Sequence, residues 1–267
     1  MTVNEVPPNA APVQVPPHSV SSTDSISNSR TSRSCPFGTT SRARTSSIIH
    51  SSLERHPGWP GTGDASGRRM QRARQAFRRR ARRHGPTKLI FIDEFGLNLG
   101  QTRRYGRAQQ GQRACGHAPA KTDPNITLTI GLSLQGIVAP LAFEGATNGV
   151  TFETYVRTQL APQLHPGDVV IADGLGSHRM RSVRQAVHDC GAHYWILPPY
   201  SPDLSPVEEA GSKIKHFIRA EGPRTTADVY EALGQALGSI SSTDAAGWFG
   251  HRAAYAYPRT KPSGPPL

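Results

Sequence analysis

Asp93, Asp173 and Glu208 have the residue type and placement of a divalent-metal site. Asp93 follows the apolar run 89–92, Asp173 follows the apolar run 169–172, and Glu208 stands at a helix start after the turn cluster 198–203. Asp173 and Glu208 enclose 34 residues. An acid that ends a buried strand sits at the carboxyl edge of a sheet, where α/β folds place their ligands. Hard divalent ions take carboxylate oxygens, and Mg²⁺ uses only a few of them beside waters and phosphates. Two such ions activate an attacking water or hydroxyl and stabilise the leaving oxygen of a phosphodiester. Either aspartate alone reads more simply as a turn acid or helix cap. Two at the ends of two central strands, with a third acid at a helix start, weaken that simpler reading.

The third acid has competitors. Ser205 and Glu208 have the spacing of a capping box, with Pro206 at the first helical position, and in that geometry Glu208 would bond the Ser205 N–H. Asp203 is an alternative cap. Glu209 is an alternative third acid, although it points about 100° away around the helix; Glu208 is preferred. The loop 174–178 leads into a helix whose N–H groups could hold a phosphate. His178 is expected to be a surface cap residue. Ser177, His178 and Asp173 do not suggest a hydrolase triad, being adjacent in sequence and lacking a G-x-S-x-G elbow.

These acids need a sheet to hold them. The runs 89–92 and 169–172 are too short for helices and read as strands buried on both faces. Residues 126–134 alternate, apolar on even positions, and make a half-buried strand. Gln135-Gly136 turns into a second strand ending at Phe143, where Pro140 implies an edge or a bulge. A polar strand is expected at 102–109 and a loop at 110–125. Phe152, Tyr155, Val156 and Leu160 follow a helical period. Val183, Ala186 and Val187 mark a helix ended by Gly191. Tyr194–Leu197 is again strand-like, so 169–197 forms a βαβ unit with parallel strands. Val207, Ala210, Ile214, Phe217 and Ile218 mark the next helix, and Val229, Leu233, Ala236 and Leu237 another. The class is α/β, a sheet with helices on its faces.

Charge divides the chain. Residues 1–86 carry 14 Arg and no Lys against 4 acids, and 87–267 carry 17 basic and 15 acidic residues, so most of the net +12 is N-terminal. Residues 1–66 are rich in Pro, Ser, Thr and Gly without an apolar period, and are expected to be disordered. Residues 67–84 are good helix formers with a thin stripe of Met70, Ala73 and Phe77, expected to fray when unbound. Arg68, Arg69, Arg72, Arg74, Arg78, Arg79, Arg80, Arg82 and Arg83 form a run that attracts polyanions, read either as a nucleic-acid contact or as a solvated basic linker. The expected division is thus a disordered, then Arg-rich segment 1–86, a domain 87–256 and a loose tail 257–267. Cys35, Cys115 and Cys190 have no metal-ligand spacing and cannot make a disulfide framework. No apolar stretch nears 18 residues and no signal-peptide core is visible, so the expectation is cytoplasmic.

The segments Phe91–Glu94, Asp173–His178 and Leu197–Glu209 resemble the DDE transposases of bacterial insertion sequences related to mariner elements, over roughly residues 87–256. The 34-residue gap is that group's spacing. The resemblance implies an RNase H-like mixed sheet flanked by helices and a two-ion Mg²⁺ or Mn²⁺ site on Asp93, Asp173 and Glu208. It also implies cleavage and strand transfer of DNA at transposon ends and target, and a homodimer if active. Three positions depart from the family: Gly174 and Ser205 stand where Asn is usual, and Gly211 where a bulky apolar residue is usual. Mid-helix Gly costs about 1 kcal/mol against Ala, and a lost core side chain roughly 2–5 kcal/mol more. Family members carry N-terminal helix-turn-helix modules, and residues 1–86 show no such pattern. An inactive truncated remnant, a nucleic-acid-binding protein using the Arg run, and an RNase H-like nuclease without strand transfer are the other readings.

Overall fold

The apolar runs and the alternating segment pair into one five-stranded sheet. The structure, a computed structural model, describes residues 65–103, 105–119 and 124–258. The expected disorder of 1–66 therefore falls almost wholly outside the described residues, as does most of the expected loose tail. The strands are β1 Leu89–Leu97, β2 Ile126–Ser133, β3 Gly136–Glu144, β4 Val169–Ala172 and β5 His193–Ile196, in the order β3-β2-β1-β4-β5. β1 pairs antiparallel with β2, and β2 with β3; β1 pairs parallel with β4, and β4 with β5. The edge strand β3 carries Pro140 at an irregularity opposite Thr129–Gly131, where Ala139 takes a left-handed φ of 50°, the local kink that a bulge produces.

β1 and β4 occupy the middle of the sheet, which explains their unbroken apolar sequence. β1 does not stop at Asp93. It continues through Gly96 to Leu97 because β2 stays paired with it, from Asp93 opposite Ile130 to Leu97 opposite Ile126. The parallel pairing with β4 ends earlier, at Phe91 opposite Ile171. Asp93 therefore leaves the parallel half of the sheet while still held by the antiparallel half. The strand expected at 102–109 is not formed; among its described residues the chain has no regular structure. This segment lacks the apolar alternation that would bury one face.

Helices cover both faces. α2 Gly149–Tyr155 continues into a wider turn Val156–Leu160, and with α3 Arg181–Asp189 packs on the face formed by Ile90, Ile92, Val170 and Ala172. α1 Ala65–His84, α4 Val207–Glu221, α5 Thr226–Gly238 and α6 Ser242–Arg252 share the opposite face with Phe91, Phe95, Ile130 and Ile171. α6 was not foreseen, although Ser241 and Asp244 supply a capping box.

The helix α1 lies on the domain rather than ahead of it. Phe77 and Ala81 join the core, Phe77 meets Trp195 and Tyr255 edge-on, and Arg82 Nε donates to the Tyr255 carbonyl at 3.2 Å. A stripe of two or three apolar residues suffices because the arginines beside it also find intramolecular partners. Among the described residues no helix is long and apolar enough to cross a membrane.

Candidate active site

Asp93, Asp173 and Glu208 line one cleft of about 320 Å³, together with Gly174, Arg179, Ser205 and the turn from Leu197 to Pro202. Strand register explains the two aspartates. Each stands two residues beyond the last parallel pair, Phe91 opposite Ile171, so neighbouring strands deliver them side by side. Alternation separates Asp93 from Glu94. Odd positions of β1 face α4, and even positions face α2 and α3.

Glu208 arrives from α4, which starts at Val207 with Pro206 as its N-cap and no side-chain cap. The capping-box alternative for Ser205 and Glu208 is therefore not realised, and Glu208 is exposed and lines the cleft. Glu209 turns away: its Oε1 accepts from Arg252 Nε at 2.7 Å and lies 3.3 Å from His251 Nδ1 of α6. Asp203 does not cap α4 either. It is paired with Arg74, whose Nη1 donates to Ser201 Oγ at 2.8 Å and to the Tyr200 carbonyl at 3.3 Å. One arginine of α1 thus holds the turn that leads into Glu208.

His178 is the residue that the sequence placed wrongly. Expected at the surface, it is fully buried, its ring against Phe152 at 4.1 Å between centroids. Its Nδ1 lies 2.5 Å from Asp173 Oδ1 and its Nε2 3.1 Å from Glu94 Oε2. Burial opposes its charge, but the bonds to Asp173 and Glu94 outweigh burial and push its pKa up to about 9. Burial also acts against the charge of Asp173, yet the His178 bond and the Leu175 N–H, 3.0 Å from Oδ1, bring its pKa below the ordinary value. The doubly protonated imidazole therefore pins Asp173 to Glu94. The signal was His178 lying five residues beyond an acid, but its partner Glu94 is 84 residues away.

Asp93 has no such partner. Burial, then the charge of Glu208, and less strongly those of Asp173 and Glu94, push its carboxyl up to about 7, against one lowering bond from the Glu94 N–H. Among the described residues no three His, Cys, Asp or Glu side chains stand as a ready-made metal cluster. The three acids share the cleft, with Asp173 Oδ1 committed to His178. The donor set nevertheless fits a hard divalent cation: three carboxylates meet one cleft, and the most buried of them lacks a cationic neighbour.

Gly211 presents a correction. The expected void is absent because the Phe95 ring fills it; a Cβ at 211 would lie 2.2 Å from that ring. A side chain at Gly174 would meet the Arg179 guanidinium at 3.0 Å. Of the nine arginines of α1, Arg74 and Arg82 are bonded to the domain, Arg78 is half-buried, and Arg80 stacks 4.0 Å over the Trp195 ring. Arg68, Arg69, Arg72, Arg79 and Arg83 have exposed side chains.

The family model of the DDE superfamily endonucleases matches residues 88–229. The fold resembles the Mos1 mariner paired-end complex with Mn, with a TM-score of 0.56 and 17% identity over 70% of this chain and 59% of that one. The Mos1 transposase paired-end complex with left transposon end gives 0.56 and 16%, over 78% and 68%. The mariner Mos1 paired-end complex with Mg gives 0.52 and 16%, over 72% and 64%. The chain thus spans about three-fifths of the length of the transposase in the first of these complexes. Comparison with curated proteins gave no match. The shared fold is RNase H-like, a mixed sheet flanked by helices. Because the family model covers more than half of the sequence, a stretch that contains Asp93, Asp173 and Glu208, the chain belongs to the DDE superfamily of endonucleases.

Proposed function

We propose that the chain cuts DNA phosphodiesters and transfers the cut strand, as a transposase does, with Asp93, Asp173 and Glu208 holding Mg²⁺ or Mn²⁺. The observation that carries this reading is the uncompensated carboxyl of Asp93. Asp93 is buried beside two other acids, and no described cation compensates it. A pair of divalent ions bound there supplies an activated oxygen nucleophile and stabilisation of the leaving oxygen.

The chain's own contribution is placement. β1 and β4 fix Asp93 and Asp173 in register, His178 fixes the Asp173 carboxylate, and Arg74 fixes the turn ahead of Glu208. The match of Phe95 to Gly211 favours an intact enzyme over a decayed remnant, since a departure from the family is met by a compensating side chain. The related Mos1 complexes were solved with Mn, with Mg and with a transposon end. Transposon-end and target DNA are therefore the proposed substrates, and two copies acting together the proposed assembly. The exposed arginines of α1 are proposed to contact phosphates, a binding mode that weakens steeply with salt.

The test is nicking of supercoiled DNA by the full chain in Mg²⁺ and in Mn²⁺. Cleavage is expected, abolished by EDTA and by Glu208→Gln, and retained by Glu209→Gln. Cleavage by Glu208→Gln at the wild-type rate would move the site elsewhere. A wild type inert on every DNA with either ion would leave the remnant reading standing.

A further inference from the structure

A second groove, of about 500 Å³, adjoins the acid cleft. α1 forms one wall, with Phe77 and Arg80. The end of β5 and the Leu197-Pro-Pro199 segment form the floor. Arg179 and Arg184 form the other wall. The two cavities share Arg179, Leu197, Pro198 and Pro199, so they adjoin one another.

No acidic side chain lines this groove. Among the described residues neither Arg179 nor Arg184 makes an ion pair with a carboxylate; the Arg179 charge is felt by Asp173 across the cleft but is not bonded to it, so both guanidinium groups can reach a ligand's phosphates. Tyr200, which follows the shared Pro199 in sequence, lines the acid cleft; it is 73% exposed and held at a left-handed φ of 51°. A bulky residue at positive φ is strained, and such strain persists where the surroundings enforce it. Here Arg74 bonds the Tyr200 carbonyl and the two polar side chains that follow it on the turn.

We propose that this groove holds a single-stranded segment of DNA running into the acid cleft, with Arg179 and Arg184 on its phosphates and Tyr200 stacked on a base. Cationic walls over an apolar floor, with an exposed aromatic ring, are the chemistry of single-strand binding. A duplex presents mainly phosphates to such a surface and keeps its base faces stacked inside. The inference rests on the reading of the cleft as a DNA-cutting site. It adds that the DNA next to the cut is unpaired when bound, and that α1 is one bank of its channel.

The test is binding by the full chain, in EDTA, to a duplex carrying a single-stranded tail and to the blunt duplex. Arg179→Glu/Arg184→Glu is expected to weaken tailed DNA by roughly 10- to 100-fold and to lower the salt slope by about two. Blunt DNA should weaken much less. Arg184→Glu alone should show part of the loss on tailed DNA, whereas Arg181→Glu, which makes the same single charge reversal on α3 outside the groove, should have little effect. Tyr200→Ala should cost roughly 5- to 50-fold on tailed DNA, and Tyr200→Phe nothing. Thermal melts report that each variant is folded. Equal losses for Arg181→Glu and Arg184→Glu, or equal losses on tailed and blunt DNA, would overturn the proposal. So would Tyr200→Ala binding as wild type does. If groove variants behave as expected while the wild type never cleaves, the catalytic reading fails and the groove stands. If the wild type cleaves while the variants bind normally, only the groove fails. A wild type that binds neither DNA overturns both.

Discussion

β1 and β4 open alike, with four apolar residues followed by an aspartate, and the two aspartates acquire opposite electrostatics. At β4, Asp173 meets His178 and a backbone N–H, and its carboxyl falls below the ordinary pKa. At β1, Asp93 meets burial and the negative charge of Glu208, and its carboxyl rises to about 7. One end is satisfied by the protein; the other is left in conflict. Partners brought from other elements, not the local sequence, make the difference. The pair teaches a division of labour: a fixed carboxylate sets geometry, and a destabilised one supplies the demand for a cation.

The sharpest way to break this comparison is to remove each acid in turn. Asp93→Asn, Asp173→Asn and Glu208→Gln should each slow Mg²⁺-dependent nicking by about a thousandfold or more, roughly 4 kcal/mol of barrier. Their effects on the metal-free fold should diverge. Asp93→Asn should raise the melting temperature and Asp173→Asn lower it, because only the second strands a buried imidazolium. Like signs for both would erase the distinction.

A smaller effect is expected at His178. His178→Gln should cut activity about 10- to 100-fold, through weakened apparent metal affinity, as loss of a ligand's supporting partner does. Linkage gives a second readout. The folded pKa of His178, about 9, lies above its unfolded value. Its stabilisation is complete below about pH 6.5 and disappears as pH rises through about 9. Wild type should lose stability across that window relative to His178→Gln; parallel curves would show that the histidine carries no charge in the fold.

Asp93 has the opposite sign. An acid whose folded pKa is raised holds a proton that the unfolded chain has released, so metal-free stability should fall between about pH 4 and pH 7. The loss should be of order 2–4 kcal/mol. Asp93→Asn should flatten it, and Mg²⁺ at pH 8 should recover part of it. Denaturant titrations at pH 5 and pH 8 decide the matter.

The smallest expected effect concerns packing beside the site. Gly211→Leu drives a side chain into the Phe95 ring and should destabilise by about 1–3 kcal/mol. Adding Phe95→Ala should recover part of that loss. A neutral Gly211→Leu would mean that Phe95 moves freely and does not fix the packing of α4 on β1.

The acids were legible because strand-end placement is local: the runs 89–92 and 169–172 name their strands, and an acid after each names the edge. The βαβ unit followed from the same runs. His178 was not legible, since a lone histidine in a glycine-rich loop gives no sign of Glu94 on another strand. Nor was the docking of α1, whose apolar stripe is thin; Arg74 and Arg82 find their partners 129 and 173 residues away. The extension of β1 to Leu97 depended on β2 remaining beside it. Gly211 looked like a defect because the residue that fills its space, Phe95, belongs to a different element.

The contact between α1 and Tyr255 bears on how the molecule is made. The first described helix to leave the ribosome rests against the turn 254–256, more than 170 residues later in the sequence, through Phe77 and Arg82. Until that turn emerges, α1 lacks part of its seat and Arg74 only a loosely held turn to grip. The setting of α1 against the cleft therefore depends on residues 254–256, and a nascent chain stalled before residue 254 is expected to carry its three acids without the strap that trims them.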